Sequence, residues 1–182
     1  MHQFSNNAFN FVDKTATVGE NVKIWHFAVV LAEVEIGDDV VIGSRCEIGR
    51  GCRIGKGARI GSGVFLPPNA VIGEYAFIGP NSTFCDDRTP FAGNDRYTAE
   101  PPVLEAHCSV GAGVTVLPGV RIGTKSLIGA GAVITKDVPA GAVIRGEPAR
   151  VRRSLNFDIY AEPLRSKMME EVPLNETHLL PV

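Results

Sequence analysis

The sequence lacks several features that mark particular classes of protein. No run of about 18 apolar residues occurs, so no transmembrane helix is predicted. Lys and Arg total 18 against 20 Asp and Glu, a balance that offers no basic surface for nucleic acid or for an acidic membrane. The opening residues, MHQFSNNAFNFVDK, lack the basic and then apolar segments of a signal peptide. We therefore expect one cytoplasmic domain.

Histidine is also scarce. Only four are present, and their spacing fits no set of metal ligands: His2, His26, His107 and His178. No metal site is predicted. What the chain has in quantity is glycine, 20 of 182 residues, together with valine and isoleucine. Glycine permits unusual backbone angles and β-branched residues suit a pleated surface, so the composition favours turn-rich β structure.

A six-residue repeat organises the chain. Every sixth residue is apolar through thirteen consecutive positions: Val12, Val18, Ile24, Val30, Ile36, Ile42, Ile48, Ile54, Ile60, Leu66, Ile72, Ile78 and Phe84. With 45% apolar residues, chance would produce such a run with a probability of about 3 × 10⁻⁵. Neither the helical period of 3.6 nor the strand period of 2 explains it.

Two further positions share this period. Four residues after each inward apolar residue stands a small side chain. The residue directly after the apolar one is often glycine, as in Gly37, Gly55, Gly73 and Gly79. Each hexad is therefore predicted to form a short strand with a large inward residue, a tight turn and a small inward residue. Identical positions would stack about 4.8 Å apart, one coil above another.

The register breaks once. It stops after Phe84 and resumes at Leu104, continuing to Ile134. The nineteen hexads predict about six coils of parallel β-helix over residues 1–150, with a loop over about residues 86–102 expelled from it. Long loops without structure of their own are often functional. The remaining residues, 151–182, are predicted to form a cap with a short helix at Pro163–Glu171, and the first ten residues to cap the other end.

The cysteines follow the repeat. Three occupy the small inward position and are expected to be buried thiols: Cys46, Cys52 and Cys108. Only Cys85 departs from it, at the entrance of the loop. This pattern predicts no disulfide framework, and it favours structural thiols over a cysteine nucleophile.

The repeat resembles the hexapeptide-repeat acyltransferases, over residues 12 to about 150. Within them it is most similar to N-acetyltransferases of nucleotide-linked 3-amino sugars, through KIWHFAVV, IGPNSTFCDDRTP and the closing GAGAVITKDVPAGAVIRGEPAR. The resemblance implies left-handed coiling, a homotrimer, acetyl-CoA in a groove between prisms and a loop over the acceptor. The chain departs from this group at Asp86, where Asn is frequent, and at Gly61-Ser62-Gly63, which replaces Gln-Asn-Asn. Its histidine spacing argues against β-helical carbonic anhydrases.

Three residues are candidates for catalysis. Asp86 stands where the chain leaves the repeat, and its carboxylate can accept a proton or a hydrogen bond from an amine; alternatively, Asp86 and Asp87 cap the loop. His26 lies in a matching motif but about three coils from the loop, and packing between subunits is its alternative role. His107 occupies a turn position near the return of the loop, where the resembling group has glycine at positive φ.

Binding residues are expected in two places. Lys136, Arg145 and Arg150 follow the last coils, where the resemblance implies the phosphates of CoA, and a solvated basic face is the alternative. The backbone at Gly111, Gly129 and Ala130 is expected along the pantetheine. In the loop, Asp87, Arg88, Arg96 and Tyr97 are candidates for contact with the nucleotide-linked acceptor.

The predicted function is acetyl-CoA-dependent N-acetylation of a nucleotide-linked amino sugar. O-acetylation of a sugar or small molecule, and a non-catalytic β-helix for assembly or binding, remain as alternatives. Binding of CoA would distinguish either acetyltransferase from the non-catalytic β-helix.

Overall fold

Each hexad forms one strand and one corner. A computed structural model describes residues 9–146 and the backbone of 150–154. In each hexad two residues form a strand, four form the corner, and the second strand residue is the predicted inward aliphatic one. The described residues contain strands, turns and bridges and no helix. The predicted all-β solenoid with parallel strands is confirmed.

The strands form three sheets, which we call faces A, B and C. Face A contains β1 (Phe11–Val12), β4 (Val29–Val30), β7 (Glu47–Ile48), β10 (Phe65–Leu66), β13 (Thr83–Phe84), β16 (Thr115–Val116) and β19 (Val133–Ile134). Face B contains β2 (Thr17–Val18), β5 (Glu35–Ile36), β8 (Arg53–Ile54), β11 (Val71–Ile72), β14 (Val103–Leu104) and β17 (Arg121–Ile122). Face C contains β3 (Lys23–Ile24), β6 (Val41–Ile42), β9 (Arg59–Ile60), β12 (Phe77–Ile78), β15 (Ser109–Val110), β18 (Leu127–Ile128), β20 (Ala142–Arg145) and β21 (Arg150–Ser154).

Successive coils pair in register. Glu35 lies beside Arg53, and Ile36 beside Ile54, in parallel ladders repeated on all three faces. Face A holds seven strands, and the last coil continues through Val138, which bridges to Ile122 on face B, and through β20 on face C, so the solenoid makes about seven turns where about six were predicted. The left-handed coiling stays an expectation of the resemblance. We name each corner after the faces that it joins: A–B, B–C and C–A.

The core is a column of the predicted side chains. Every large inward residue from Ile24 to Ile134 is at most 3% exposed, while Val12 and Val18 in the first coil are half-buried. The small inward positions are equally closed, including the free thiols Cys46, Cys52 and Cys108. Burial raises the pKa of all three thiols, that of Cys52 to about 11, so these cysteines are poor nucleophiles.

The position after the inward residue is often glycine because the next coil leaves no room for a side chain there. A Cβ on Gly79 would lie 2.4 Å from the nitrogen of Ala112 and 2.7 Å from the oxygen of Gly111, both in the next coil. Positive φ occurs two residues later in most corners, and ten residues with side chains adopt it: Asn21, Phe27, Glu33, Asp39, Arg45, Asn69, Tyr75, Asn81, His107 and Lys125. The approach of the neighbouring backbone therefore excludes a side chain at these glycines, while other glycines, such as Gly113 and Gly119, adopt the unusual angles that the composition predicts.

The end of the solenoid is described in part. Strand β21 pairs antiparallel with β20 at the edge of face C, so the chain beyond residue 150 begins by covering that edge. The predicted helix at Pro163–Glu171 and the rest of the tail lie outside the described residues, as do residues 1–8 of the predicted N-terminal cap.

Replacement of Phe84 by Ala should destabilise the solenoid. Phe84 is fully buried at the last inward position before the loop, so Phe84→Ala removes a large core side chain and leaves a cavity. We expect a loss of about 3–5 kcal/mol in the free energy of unfolding, measured by denaturant titration. Phe91 is 62% exposed, and Phe91→Ala should change it by at most about 0.5 kcal/mol. Equal effects of the two substitutions would contradict the assigned register.

Candidate active site

The expelled loop leaves the solenoid at the A–B corner. It connects β13, ending at Phe84, to β14, beginning at Val103. Its two ends meet, because the N–H of Glu100 donates to the carbonyl oxygen of Asp86 at 2.8 Å. The carbonyl of Glu100 accepts from the N–H of Gly119, one coil further on, at 2.7 Å. The base of the loop is thus hydrogen-bonded both across itself and to the solenoid.

Asp86 and Tyr97 come together at this base. The hydroxyl of Tyr97 donates to Oδ2 of Asp86 at 2.5 Å. This hydrogen bond, with smaller contributions from burial and the negative charges of Asp86 and Asp87, raises the pKa of Tyr97 to about 12. Tyr97 is therefore a protonated donor at neutral pH. Asp86 is half-buried and retains Oδ1 as a second acceptor atom.

The other loop candidates have structural partners. Oδ1 of Asp87 accepts the N–H of Thr89 at 2.9 Å, which is the capping turn considered as an alternative for this segment. Arg88 forms an ion pair with Glu100, and the same interaction lowers the pKa of Glu100. The backbone N–H of Arg96 donates to the side chain of Asn94, and the Arg96 side chain is exposed.

His107 lies at the B–C corner of the same coil. It is exposed, has a φ of 62°, and its ring stacks on that of Tyr75 with centroids 5.3 Å apart and planes 13° from parallel. Strand β14 separates the A–B corner, where Asp86 lies, from the B–C corner. The two candidates therefore flank the same stretch of face B from opposite sides.

His26 lies at the C–A corner near the first coil. Its ring is 6.4 Å from that of Phe9 and 6.3 Å from that of Phe27. Phe9, Trp25 and Phe27 are each more than half exposed. The three catalytic candidates thus occupy three different corners of one chain.

The residues predicted to bind CoA divide between two corners. Gly111 and Gly129 with Ala130 lie one above the other at the C–A corner, and Arg145 follows directly above them. The N–H groups of both glycines already bond to the next coil, at Ile128 and Ile144. Lys136 is exposed at the A–B corner, and Arg150 begins β21 beside β20, with its side chain outside the described part of the chain.

Face B also carries an open groove of about 640 Å³. Thr17, Glu35, Arg53, Val71 and Glu74 contribute to its lining. Val71 pairs with Val103 of the coil that holds Asp86 and His107, so the groove ends one coil below the two candidates.

No group of three or more His, Cys, Asp or Glu side chains able to hold a metal ion occurs in residues 9–146. His2 and His178 lie outside the described residues. Within the described part of the chain, no helix is long and apolar enough to cross a membrane.

The sequence did not reveal three residues of this region. Tyr75 could have been found from the repeat, because it precedes a small inward residue just as His107 does and so lies at the same corner. Nothing in the repeat marks Glu100, since it lies in the aperiodic loop. Gly119 occupies an ordinary turn position, and its contact with Glu100 follows from the path of the loop alone.

The chain matches a known family model, described as bacterial transferase hexapeptide (six repeats). The matched segments are residues 15–50, 51–86 and 101–136, more than half of the 182 residues. The interval between the second and third segments, residues 87–100, coincides with the expelled loop.

Similar proteins include acetyltransferases. A galactoside O-acetyltransferase of Lactococcus lactis is 39% identical over 89 residues, 47% of this chain and 43% of that protein. A 2,3,4,5-tetrahydropyridine-2,6-dicarboxylate N-acetyltransferase of Staphylococcus aureus is 46% identical over 54 residues, 30% and 23% of the two chains. These alignments span less than half the length of either curated relative. A hexapeptide-repeat-containing acetyltransferase of Vibrio cholerae, solved with acetyl coenzyme A, is 29% identical, with a TM-score of 0.57 over 64% of this chain and 68% of that one.

The Tyr97–Asp86 hydrogen bond predicts a displaced tyrosine titration. The difference between the tyrosinate absorbance of the wild type and of Tyr97→Phe should have its midpoint near pH 12 instead of near 10. Because the pKa is raised on folding, the stabilisation is fully present below pH 10 and is lost as the pH rises through 12. In Asp86→Asn the midpoint should fall towards 10. A wild-type midpoint near 10 would show that the hydrogen bond is absent in solution.

Proposed function

Because this chain belongs to the bacterial transferase hexapeptide family, we propose that it transfers the acetyl group of acetyl-CoA to the amine of a nucleotide-linked amino sugar. The observation that carries the proposal is the Asp86–Tyr97 pair at the base of the expelled loop. In this pair Oδ2 of Asp86 accepts the hydrogen bond from Tyr97, and Oδ1 is left to accept a proton from the amine. The Tyr97 hydroxyl stays protonated at neutral pH. The resemblance of the pre-loop segment to amino sugar N-acetyltransferases supports the choice of acceptor.

The proposed chemistry is direct transfer in a ternary complex. The amine attacks the thioester carbonyl, so that a carbon–nitrogen bond forms and the carbon–sulfur bond breaks. Oδ1 of Asp86 accepts the proton that the nitrogen loses, and CoA leaves as a thiolate that takes up a proton. Tyr97 holds the carboxylate in place through Oδ2. The reaction needs orientation more than a strong base, since the amine of an amino sugar is only moderately basic.

We place acetyl-CoA along the C–A corner. Gly111, Gly129 and Ala130 offer a narrow backbone surface for the pantetheine, and Arg145 lies directly above it. Lys136 lies at another corner of the same chain, so it serves the same cofactor only if it comes from a neighbouring prism. A homotrimer supplies such an arrangement, because threefold symmetry brings different corners of neighbouring chains together.

A second candidate is O-acetylation of a sugar. The 39% identity to a galactoside O-acetyltransferase favours it. A hydroxyl needs a stronger base than an amine, and His107 is the exposed imidazole nearest in sequence to the return of the loop. Under this alternative His107 is the base, with Tyr75 holding its ring, and Asp86 and Tyr97 bind the sugar. His26 is then left to packing between subunits.

Asp86→Asn should lower N-acetylation strongly. We expect kcat/KM for the amine acceptor to fall about 10²- to 10⁴-fold, because the variant keeps the shape of the carboxylate but cannot take a proton. The measurement is thiol release from acetyl-CoA with a panel of UDP- and dTDP-linked amino sugars. Asp39→Asn removes an exposed carboxylate at the B–C corner and serves as the control. If galactosides turn over and amino sugars do not, the O-acetyltransferase is correct.

Removal of Arg145 or Lys136 should weaken acetyl-CoA binding. We expect each Ala variant to raise the Kd about tenfold, the loss of one charge-assisted hydrogen bond to phosphate, as measured by calorimetry. Lys56→Ala provides the control, since Lys56 lies beside Asp39 at the B–C corner, away from the C–A corner where we place acetyl-CoA. If the wild-type protein binds neither acetyl-CoA nor CoA, the enzyme proposal fails and a non-catalytic β-helix is left.

A further inference from the structure

Arg88 joins the two ends of the expelled loop to the next coil. Its Nε and Nη2 donate to the carboxylate of Glu100 at distances from 2.5 to 3.1 Å, so the pair is bidentate. Nη2 also donates to the carbonyl oxygen of Pro118 at 3.2 Å. We call this pair the Arg88–Glu100 clasp. One guanidinium therefore contacts both the return of the loop and the coil above it.

The backbone of Glu100 reinforces the same connection. Its N–H donates to the carbonyl oxygen of Asp86, and its carbonyl oxygen accepts from the N–H of Gly119. The main chain of Glu100, like its side chain, therefore connects the start of the loop to the coil above. Gly119 leaves room for this arrangement. A Cβ there would lie 2.9 Å from Oε2 of Glu100 and 3.1 Å from Nη2 of Arg88.

The clasp lies next to the proposed acceptor site. Asp86 is two residues before Arg88, and Tyr97 is three residues before Glu100. Because the ends of the loop are held, Tyr97 stays within reach of Asp86, and its hydroxyl in turn orients the carboxylate. Exposed ion pairs contribute little to overall stability, so the effect of the clasp is expected in the local geometry of the loop. A displacement of about 1 Å is enough to cost up to 10²-fold in rate.

We propose that Arg88 and Glu100 are positioning residues, which hold the loop so that Asp86 and Tyr97 meet the acceptor. The expected effect on acceptor turnover rests on the proposed function. The expected effect on the position of the loop does not. In this proposal Arg88 acts through Glu100, and a contact between Arg88 and the nucleotide-linked acceptor stays a separate prediction.

The chain contains a matched control. Arg50 and Glu33 form a bidentate pair, with distances of 2.6 and 3.1 Å, at the same A–B corner. They also join neighbouring coils but hold no loop. The two arginine side chains are similarly exposed, at 64% and 62%, while Glu33 is more exposed than Glu100, at 59% against 39%. Glu33→Gln therefore removes the same kind of ion pair without touching the loop.

The test compares Glu100→Gln with Glu33→Gln. Chymotrypsin cleavage after Phe91 or Tyr97, followed by mass spectrometry of the fragments, should be about fivefold faster in Glu100→Gln and unchanged in Glu33→Gln. With the acceptor, kcat/KM should fall about tenfold or more in Glu100→Gln, while the KM for acetyl-CoA stays within about twofold. Both variants should keep the melting temperature of the wild type within a few degrees, as about 1 kcal/mol allows.

A second pair of variants tests the clasp without removing it. Gly119→Ala and Gly113→Ala both introduce a side chain at positive φ, 73° and 64°, but nothing lies within 4 Å of a Cβ at Gly113. Only Gly119→Ala should speed cleavage of the loop.

The outcomes separate the two proposals. Equal cleavage in Glu100→Gln and Glu33→Gln overturns the clasp. Faster cleavage with unchanged acceptor kinetics overturns the positioning role. If no acceptor is turned over by the wild-type protein, the proposed function fails, while the cleavage rates still decide whether the clasp exists.

Discussion

Parallel backbone hydrogen bonds between residues one coil apart hold each described coil of the solenoid to the next. The usual separation of paired residues is 18 positions, as between Arg53 and Val71. Between Val71 and Val103 it is 32 positions, and the pairing is nevertheless in register. The 14 surplus residues must therefore leave the prism, and they do so at one corner. The ladder thus decides both where the core lies and where the loop emerges.

The sequence predicted the parts that the ladder controls. Thirteen apolar residues in one phase were sufficient to assign the inward column, and the small partners were assigned from the same phase. Composition alone does not distinguish a glycine needed for its φ, such as Gly113, from one needed because no space is left for a side chain. Gly79 is of the second kind, and only the distance to the neighbouring coil reveals it.

The candidate site was predictable only in part. Asp86 and Tyr97 were both placed in the loop, but an aperiodic segment gives no phase, so the hydrogen bond between them and the role of Glu100 were not foreseen. The phase also placed His26 and His107 in turns, and the assignment of strands to faces shows that each lies at a different corner from Asp86. A chain that distributes its reactive side chains over three corners brings them together only by association with other copies or by the reach of its loop.

The pairing of Glu100 with Asp86 at the base of the loop has a consequence for how such proteins diversify. Because the two ends of the insertion meet, the stacked coils on either side do not register its length or its composition. The free energy of closing such a loop grows only slowly with length. Loops of other lengths can therefore replace this one at the same corner during evolution, while the coils below and above stay unchanged.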